Sequence, residues 1–342
     1  MKRRAAKLVG PRKFEIVEEP IRPLGDHEVL MRVLSCGLCH SEMPAFHGES
    51  RVARTPEGIP YMDRQLKYPF EIGHEPSGVV EDVGKAVKGL KAGDYVSGLA
   101  RGVFATHAYA DPATLLKLPP EVKDPKYCLI EPLTAICNNL RAANPEYGDT
   151  VAVIGCGMMG LMVIAGLKPS AAKEIIAIDL IDFRLDWAKR LGATKTMNPK
   201  KGDIVAEIQE LTHGQGVDVA IEISGKLAGL GLALDIIKNA SLLGYQGRGK
   251  ILLPSLYAEK QVWEPSYGYQ LMFKSPILHS THPWYSRDYR EDQRRALWGY
   301  LNGLLPLNQI ITHEFRLEEI EKGFETAETG AGNYIKGIVV PA

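Results

Sequence analysis

The potential metal ligands of this chain lie in three separate segments. They are found in Cys36–Glu42 (CGLCHSE), in the adjacent pair His74 and Glu75, and in Glu131 of a Glu-Pro-Leu sequence. The sequence has no second Cys-x-x-Cys pair to complete a four-cysteine zinc site, and no thioredoxin-like context surrounds the first pair. One thiolate, one imidazole and one carboxylate from separate segments suit a catalytic zinc that keeps one coordination position open.

A glycine motif in the middle of the chain indicates a dinucleotide site. Val151–Gly160 (VAVIGCGMMG) is an apolar strand followed by Gly-x-Gly-x-x-Gly and an apolar helix start. Gly155 permits a tight turn, Gly157 lets the backbone approach a pyrophosphate, and Gly160 lets the helix and the strand pack closely. The phosphates would lie at the helix N-terminus, where free N–H groups and the helix dipole favour negative charge.

Asp179 strengthens this interpretation because it lies 19 residues after Gly160, at the end of the next apolar strand, Ile175–Ile178. A carboxylate there accepts hydrogen bonds from the ribose hydroxyls and repels a 2′-phosphate, which favours NAD over NADP. Arg184 on the following helix either softens that preference or is simply a solvated side chain, which is more common for an arginine at such a position. A second match, Gly244–Gly249, lacks a following amphipathic helix and is predicted to be a loop. The predicted cofactor-binding residues are Gly155, Gly157, Met158, Met159, Gly160, Asp179, Arg184 and Ser224.

The elements that must position these residues change in character along the chain. The first 120 residues are mainly short strands, such as Glu28–Leu34 and Gly78–Val83, separated by Gly, Pro and Asp. After Thr150, apolar strands alternate with amphipathic helices, which predicts a parallel sheet with right-handed crossovers. Arg287–Leu305 then returns to a helix, and Tyr334–Val340 is a closing strand.

Composition restricts the class of protein. The 342 residues are 45% hydrophobic and 24% charged, values that exclude a disordered or collagen-like chain and leave room for two domains. Lys plus Arg and Asp plus Glu each number 41, so no global field favours nucleic acid or an anionic membrane. Five cysteines are too few for a disulfide-stapled secreted domain, and no signal peptide or membrane span is recognisable. We therefore expect a cytoplasmic protein without nucleic-acid or membrane partners.

In their order and spacing, these motifs resemble those of the zinc-dependent medium-chain dehydrogenases, the superfamily of alcohol, sorbitol and threonine dehydrogenases. The resemblance spans essentially the whole chain and implies an α/β fold with two domains. A GroES-like, β-rich catalytic domain is expected at 1–134 and 283–342, and a Rossmann NAD-binding domain, a doubly wound parallel sheet, at 135–282. Because the family usually forms dimers or tetramers, a homodimer or homotetramer is also expected.

The resemblance also implies roles for individual residues. Glu131 stands where alcohol dehydrogenases have a third cysteine and where sorbitol and threonine dehydrogenases have glutamate. Whether Glu75 or Glu131 coordinates in the resting state stays open. Ser41 matches the hydroxyl that hydrogen-bonds the substrate oxygen and begins the proton relay, whereas Cys36 is expected to be a small buried residue. The implied catalytic zinc ligands are Cys39, His74, Glu75 and Glu131.

The chain departs from the family pattern at several positions. Glu42 replaces the Asp that usually orients the histidine ligand, and its extra methylene requires that bond to be built differently. In the family, the four-cysteine loop of a structural zinc directly follows the segment that matches Gly93–Val96. Here that place is taken by Ser97–Phe104, which has no cysteine, and this predicts one catalytic zinc and no structural zinc. Pro44 replaces a frequent relay histidine, and His47 is either a substrate-pocket or relay group or, as we favour, a structural loop residue. Residues 49–72 are predicted to be a solvated surface loop rather than a substrate lid.

Together these features predict a zinc-dependent oxidoreductase that transfers hydride between an alcohol and NAD(H). A secondary alcohol of a polyol, cyclitol or sugar is the first choice, and threonine or a simple alcohol is the alternative. Aromatic and polar stretches at 263–269 and 279–288 either bind such a substrate or pack an interface. Two alternatives are a zinc-free quinone or enoyl reductase and a non-catalytic, crystallin-like NAD-binding protein. The first would lack the zinc ligands and the second would not need them, so the presence of all four argues against both.

Overall fold

The computed structural model describes residues 1–49, 51–54, 60–64, 66–239, 249–255, 264–282 and 286–341, with only the backbone path given for 51–54 and 60–64. The chain divides into two compact units, Met1–Pro132 with Leu307–Ala342, and Leu133–Pro306. The second division lies 24 residues beyond the predicted boundary at 282/283, since the helix at 289–301 belongs to the second unit.

The helices and strands largely follow the sequence pattern. The strands are β1 Lys2–Gly10, β2 Lys13–Pro20, β3 Val29–Gly37, β4 Arg51–Arg54, β5 Pro60–Arg64, β6 Phe70–Glu71, β7 Glu75–Val83, β8 Tyr95–Gly98, β9 His107–Ala110, β10 Leu115–Lys117, β11 Thr150–Ile154, β12 Glu174–Ile178, β13 Lys195–Met197, β14 Val219–Glu222, β15 Lys250–Leu253, β16 Ile277–Ser280, β17 Ile311–Arg316 and β18 Lys336–Val340. The α-helices are α1 Met43–Phe46, α2 Ile130–Ala143, α3 Met158–Leu167, α4 Asp182–Leu191, α5 Ile204–Leu211, α6 Leu227–Ile236, α7 Pro265–Lys274, α8 Tyr289–Leu301, α9 Leu307–Ile310 and α10 Ile320–Thr329. None of the helices in the described part of the chain has the length and apolar composition needed to cross a bilayer.

The first unit is rich in β structure. Its largest sheet has the order β10-β8-β7-β3-β18-β17, with β9 also pairing with β3, and a smaller sheet has the order β2-β1-β6. The core contains five phenylalanines, of which Phe14, Phe46 and Phe324 stack on one another and Phe104 meets Phe324 edge-on. Near the C-terminus, β18 pairs with β3, so the last strand lies beside the segment that leads into Cys39.

The prediction of a plain loop at residues 49–72 is wrong in part. Within this segment, β4 and β5 form an antiparallel pair, and β6 pairs with β1. The alternation that normally marks a half-buried strand is missing from these short strands, which is why the sequence did not indicate them. The side chains of β4 and β5, including Arg51 and Tyr61, lie outside the described part of the structure.

The second unit contains a six-stranded parallel sheet with the order β13-β12-β11-β14-β15-β16. This is the doubly wound Rossmann order, and the predicted fold class is therefore confirmed. All five residues of β11 are buried, as expected for a central strand covered on both faces. Of the second glycine motif only Gly249 lies in the described residues, and Trp263 and 283–285 of the aromatic stretches lie outside them.

Candidate metal and cofactor sites

Three predicted ligands meet in the first unit. Cys39 follows β3, while His74 precedes β7 and Glu75 begins it, and the pairing of these two strands sets Glu75 opposite Gly37. One ligand atom of each residue, the Cys39 sulfur, a ring nitrogen of His74 and a carboxylate oxygen of Glu75, lies within 4.8 Å of the others. The sheet register thus brings Cys39 close to two residues that lie 35 and 36 positions later in the sequence.

Glu42 fixes the orientation of the His74 ring. Its Oε1 accepts hydrogen bonds from Nδ1 of His74 at 2.9 Å and from the backbone N–H of Gly73 at 2.6 Å. Burial alone would lower the pKa of His74, but the Glu42 carboxylate and the Cys39 sulfur together outweigh burial and raise it. Because Glu42 occupies Nδ1, Nε2 is the ring nitrogen left for a metal. The longer side chain therefore makes the histidine contact that the family pattern assigns to Asp.

Lys336 is a neighbour of this site that the sequence analysis missed. Its Nζ donates to Oε2 of Glu75 at 2.5 Å and to the carbonyl oxygen of Leu38 at 3.0 Å. Burial alone would raise the pKa of Glu75, but Lys336 and His74 outweigh it and lower the pKa. Gly37 makes room for the carboxylate, since a Cβ there would lie 2.0 Å from Oε2 of Glu75. The sequence carried one signal of this role, which is that Lys336 is the single charged residue in the segment Tyr334–Val340.

Glu131, the fourth predicted ligand, lies in the first turn of α2 and outside the three-residue group. Burial raises its pKa to about 7, an effect that His74 opposes and Glu75 reinforces. The hydroxyl of Ser41 donates to the sulfur of Cys39 at 3.2 Å, which places it beside the candidate ligands. Glu131 is thus within electrostatic influence of the group without belonging to it.

The donor set fits zinc. A thiol, an imidazole and a carboxylate are the ligand types of catalytic zinc sites. Burial raises the pKa of Cys39, and the nearby Glu75 raises it further, so this thiol needs an adjacent cation to become a thiolate. With Glu42 and Glu131 also close to His74, the region carries more acidic than basic groups, which favours a divalent cation.

Two other residues singled out in the first unit have structural contacts. Cys36 is completely buried, as the sequence predicts. The Nε2 of His47 lies 2.7 Å from Oε1 of Glu328 on α10, and the guanidinium of Arg12 pairs with the same carboxylate. These contacts favour the structural interpretation of His47.

The glycine motif of the second unit forms a tight turn between β11 and α3. Gly155 has φ of 101°, and a Cβ there would lie 2.8 Å from the backbone nitrogen of Ser224. A Cβ on Gly160 would lie 1.9 Å from the carbonyl oxygen of Gly155, so strand and helix are in close contact. Gly157 precedes α3, and a Cβ on it would meet nothing within 4 Å. Met158 and Met159 form the first turn of the helix, where the N–H groups have no helical acceptors.

Asp179 connects the end of β12 to this turn. Its Oδ2 accepts a hydrogen bond from the backbone N–H of Cys156 at 2.7 Å, and its Oδ1 accepts one from Ile181 at 2.9 Å. Arg184 lies 4.0 Å from the same carboxylate. Ser224, after β14, donates its hydroxyl to the buried Glu222. The carboxyl ends of three neighbouring strands thus surround the helix N-terminus, which is the arrangement of a dinucleotide crevice.

Two models of known protein families match the chain. A family model described as alcohol dehydrogenase GroES-like domain matches residues 25–120. A second, described as zinc-binding dehydrogenase, matches residues 159–254. The chain belongs to the zinc-dependent medium-chain dehydrogenase/reductase superfamily. As a member of it, the chain is an oxidoreductase that acts on CH–OH donors.

Individual medium-chain dehydrogenases match over nearly the full length. The L-threonine 3-dehydrogenase of Bacillus subtilis (strain 168) is 29% identical, and the match covers 92% of each chain. The L-threonine 3-dehydrogenase of Pyrococcus horikoshii is 28% identical with the same coverage. Among solved structures, 2R,3R-butanediol dehydrogenase from Bacillus subtilis is 26% identical with a TM-score of 0.80, covering 99% of this chain and 100% of the other.

Proposed function

We propose that this dehydrogenase oxidises a secondary alcohol with NAD, using one catalytic zinc held by Cys39, His74 and Glu75. The observation that carries the proposal is the meeting of these three ligand atoms within 4.8 Å. Glu131 is the alternative carboxylate ligand, because it influences the site electrostatically but lies outside the three-residue group. A homodimer or homotetramer, which the family suggests, is part of the same proposal.

Different residues of the chain have different roles in the proposed reaction. When bound, zinc would act as a Lewis acid toward the substrate hydroxyl, and NAD would accept the hydride. Glu42 holds the His74 ring in one orientation. Ser41, whose hydroxyl lies 3.2 Å from the sulfur of Cys39, takes the substrate proton and passes it toward solvent. Lys336 balances the charge of Glu75.

The choice of NAD rests on Asp179. Its carboxylate ends β12, where a ribose 2′-hydroxyl would be a donor and a 2′-phosphate would be repelled. Arg184 lies 4.0 Å from that carboxylate and is the residue that would moderate the preference. We therefore expect higher kcat/KM with NAD than with NADP, and an Asp179→Ser variant should lose most of that difference.

The substrate class is proposed from chemistry that the relatives share. The names of the relatives specify threonine oxidised at carbon 3 and 2,3-butanediol, both secondary alcohols with an amino or hydroxyl group on the neighbouring carbon. A polyol, cyclitol or sugar has the same vicinal pattern and remains our first choice. L-Threonine is the second candidate, favoured by the curated relatives.

Initial rates of NAD and NADP reduction test this proposal. The panel contains sorbitol, inositol, an aldose, 2,3-butanediol, L-threonine and ethanol, each with and without a zinc chelator. We expect a chelator-sensitive rate that is highest with a vicinal polyol. A rate that is highest with L-threonine would replace the polyol by the second candidate, and a rate that ignores the chelator would contradict the zinc site.

A further inference from the structure

A buried polar network in the second unit joins α2 to the end of β16, and the proposed reaction does not account for it. The side-chain amide of Asn138 donates to the carbonyl oxygens of Thr281 at 2.9 Å and His282 at 3.4 Å. The hydroxyl of Thr281 donates to Oδ1 of Asn139 at 2.6 Å. Asn139 in turn donates to the carbonyl of Ala135 at 2.9 Å, one turn earlier on the same helix. Two neighbouring asparagines thus hold the chain just after β16.

This network is more than incidental packing. Asn138 is 9% exposed, Asn139 0% and Thr281 1%, so the three side chains that form the network are withdrawn from water. Buried polar groups cost free energy unless they are hydrogen-bonded, and leucine or alanine would fill a helix–sheet contact without that requirement. Neither packing nor helix propensity explains two consecutive buried asparagines, because asparagine is a weak helix former.

The position of Thr281 and His282 indicates what the network serves. They follow β16 at the carboxyl edge of the parallel sheet, the edge at which ligands bind in doubly wound folds. In the strand order, Asp179 lies at the end of β12, on one side of β11, whereas β14, β15 and β16 lie on the other side. If a dinucleotide places its adenosine at Asp179 and its pyrophosphate on the turn after β11, its nicotinamide half extends toward β16.

We propose that Asn138 and Asn139 are positioning residues for the nicotinamide half of the cofactor. Fixing the carbonyl of Thr281 also fixes the peptide plane that continues into His282 at this edge. A nicotinamide carries a carboxamide, whose orientation depends on hydrogen-bonding groups held in place beforehand. The inference rests on the proposed dinucleotide site and adds two residues on α2 to it.

The test compares two ligands that differ in the nicotinamide alone. ADP-ribose carries the adenosine and pyrophosphate of NADH without the nicotinamide, so it does not reach the β16 side. The variants are Asn138→Leu, which removes the amide, and Asn138→Asp, which keeps the size but replaces the donor with an acceptor. Dissociation constants are measured by NADH fluorescence and by calorimetry for ADP-ribose. We expect the constant for NADH to rise about tenfold, the loss of roughly one hydrogen bond, and that for ADP-ribose to change less than about twofold.

Lys250→Met is the matched control. Lys250 donates to the carbonyl oxygens of Ala143 at 2.5 Å and Asn144 at 3.3 Å, so it also ties the region of α2 to the sheet. Because Lys250 begins β15, this tie lies at the amino edge, opposite the crevice. We expect the control to leave both dissociation constants unchanged even if it lowers the Tm.

Each other outcome overturns the inference in a recognisable way. If both Asn138 variants bind NADH as tightly as the wild type, the network has no part in holding the nicotinamide. If NADH and ADP-ribose weaken equally, the network has a general structural role. If the wild type binds neither ligand, the proposed cofactor site itself fails, and the inference fails with it.

Discussion

Lys336 and Glu75 form a buried ion pair beside the candidate metal ligands. The two side chains are 3% and 1% exposed, and Nζ lies 2.5 Å from Oε2. The residues are 261 positions apart and meet because β18 pairs with β3, which in turn pairs with β7. Burying a charge without a partner costs free energy, so Lys336 and Glu75 each reduce the cost of burying the other.

Removing Lys336 should therefore destabilise the chain more than removing an exposed lysine. We expect Lys336→Met to lower the free energy of unfolding of the zinc-free chain by about 3 kcal/mol, because Glu75 then loses the cation that compensates its buried charge. Lys126→Met is the control, since Lys126 pairs with Glu314 at the surface and should contribute less than about 1 kcal/mol. Urea unfolding of both variants measures the difference. Equal losses would show that Glu75 does not depend on Lys336.

Glu42 should control zinc affinity through His74. A Glu42→Gln variant keeps the size of the side chain but removes the charge that holds Nδ1 and the N–H of Gly73. We expect the zinc dissociation constant, measured by competition with a chromophoric chelator, to rise about 10- to 100-fold. Glu328→Gln disturbs only the His47 and Arg12 contacts and should leave zinc affinity unchanged. If Glu328→Gln weakened zinc binding more than Glu42→Gln did, His47 would be identified as part of the metal site.

Substitutions at two glycines of the turn should affect different properties, one of them cofactor binding and the other stability. A Cβ on Gly157 meets no protein atom within 4 Å and the residue has φ of −71°, so Gly157→Ala should keep the wild-type Tm. The methyl group would occupy the approach of the pyrophosphate, and NADH binding should weaken at least about tenfold. Gly160→Ala should instead lower the Tm, because its Cβ would lie 1.9 Å from the oxygen of Gly155. Normal NADH binding by Gly157→Ala would argue against phosphates at this helix.

Much of this arrangement could be predicted from the sequence because its signals are local. The strand, glycine turn and helix at Val151–Gly160 are contiguous, and Asp179 follows at the spacing the fold requires. Lys336 could not be paired with Glu75 in advance, because only the sheet topology brings β18 to β3. Asn138 could not be paired with Thr281 for the same reason, since nothing near it in sequence indicates that contact.

Acid should remove one specific contribution to stability in the first unit. Glu28 accepts two hydrogen bonds from Arg22, at 2.6 and 2.7 Å, and one from the N–H of Gly25 at 2.9 Å. The Arg22 bonds, together with the Gly25 bond, lower the pKa of Glu28 to about 2. A carboxyl with a lowered folded-state pKa stabilises the chain above its unfolded pKa, near 4.5, and loses that effect as the pH falls through about 2.

The corresponding test is a Glu28→Gln variant unfolded by urea at several pH values. Because the pair is largely exposed to solvent, we expect a loss of no more than about 1 kcal/mol at pH 7. The difference from the wild type should shrink as the pH approaches 2. Glu15→Gln, an exposed residue of β2, provides the same change in charge and should show no such trend. A difference that is constant with pH would rule out the ionised pair as its source.

The zinc content of the wild type and of a Cys39→Ser variant tests the central claim most directly. Cys36→Ser is the matched control, because Cys36 lies three residues earlier, is fully buried and is not in the ligand group. Zinc is measured by atomic emission after dialysis, and NADH binding reports whether the second unit remains folded. The account predicts one zinc per chain in the wild type and in Cys36→Ser, and none in Cys39→Ser with NADH binding retained. A Cys39→Ser variant that kept its full zinc content would contradict it.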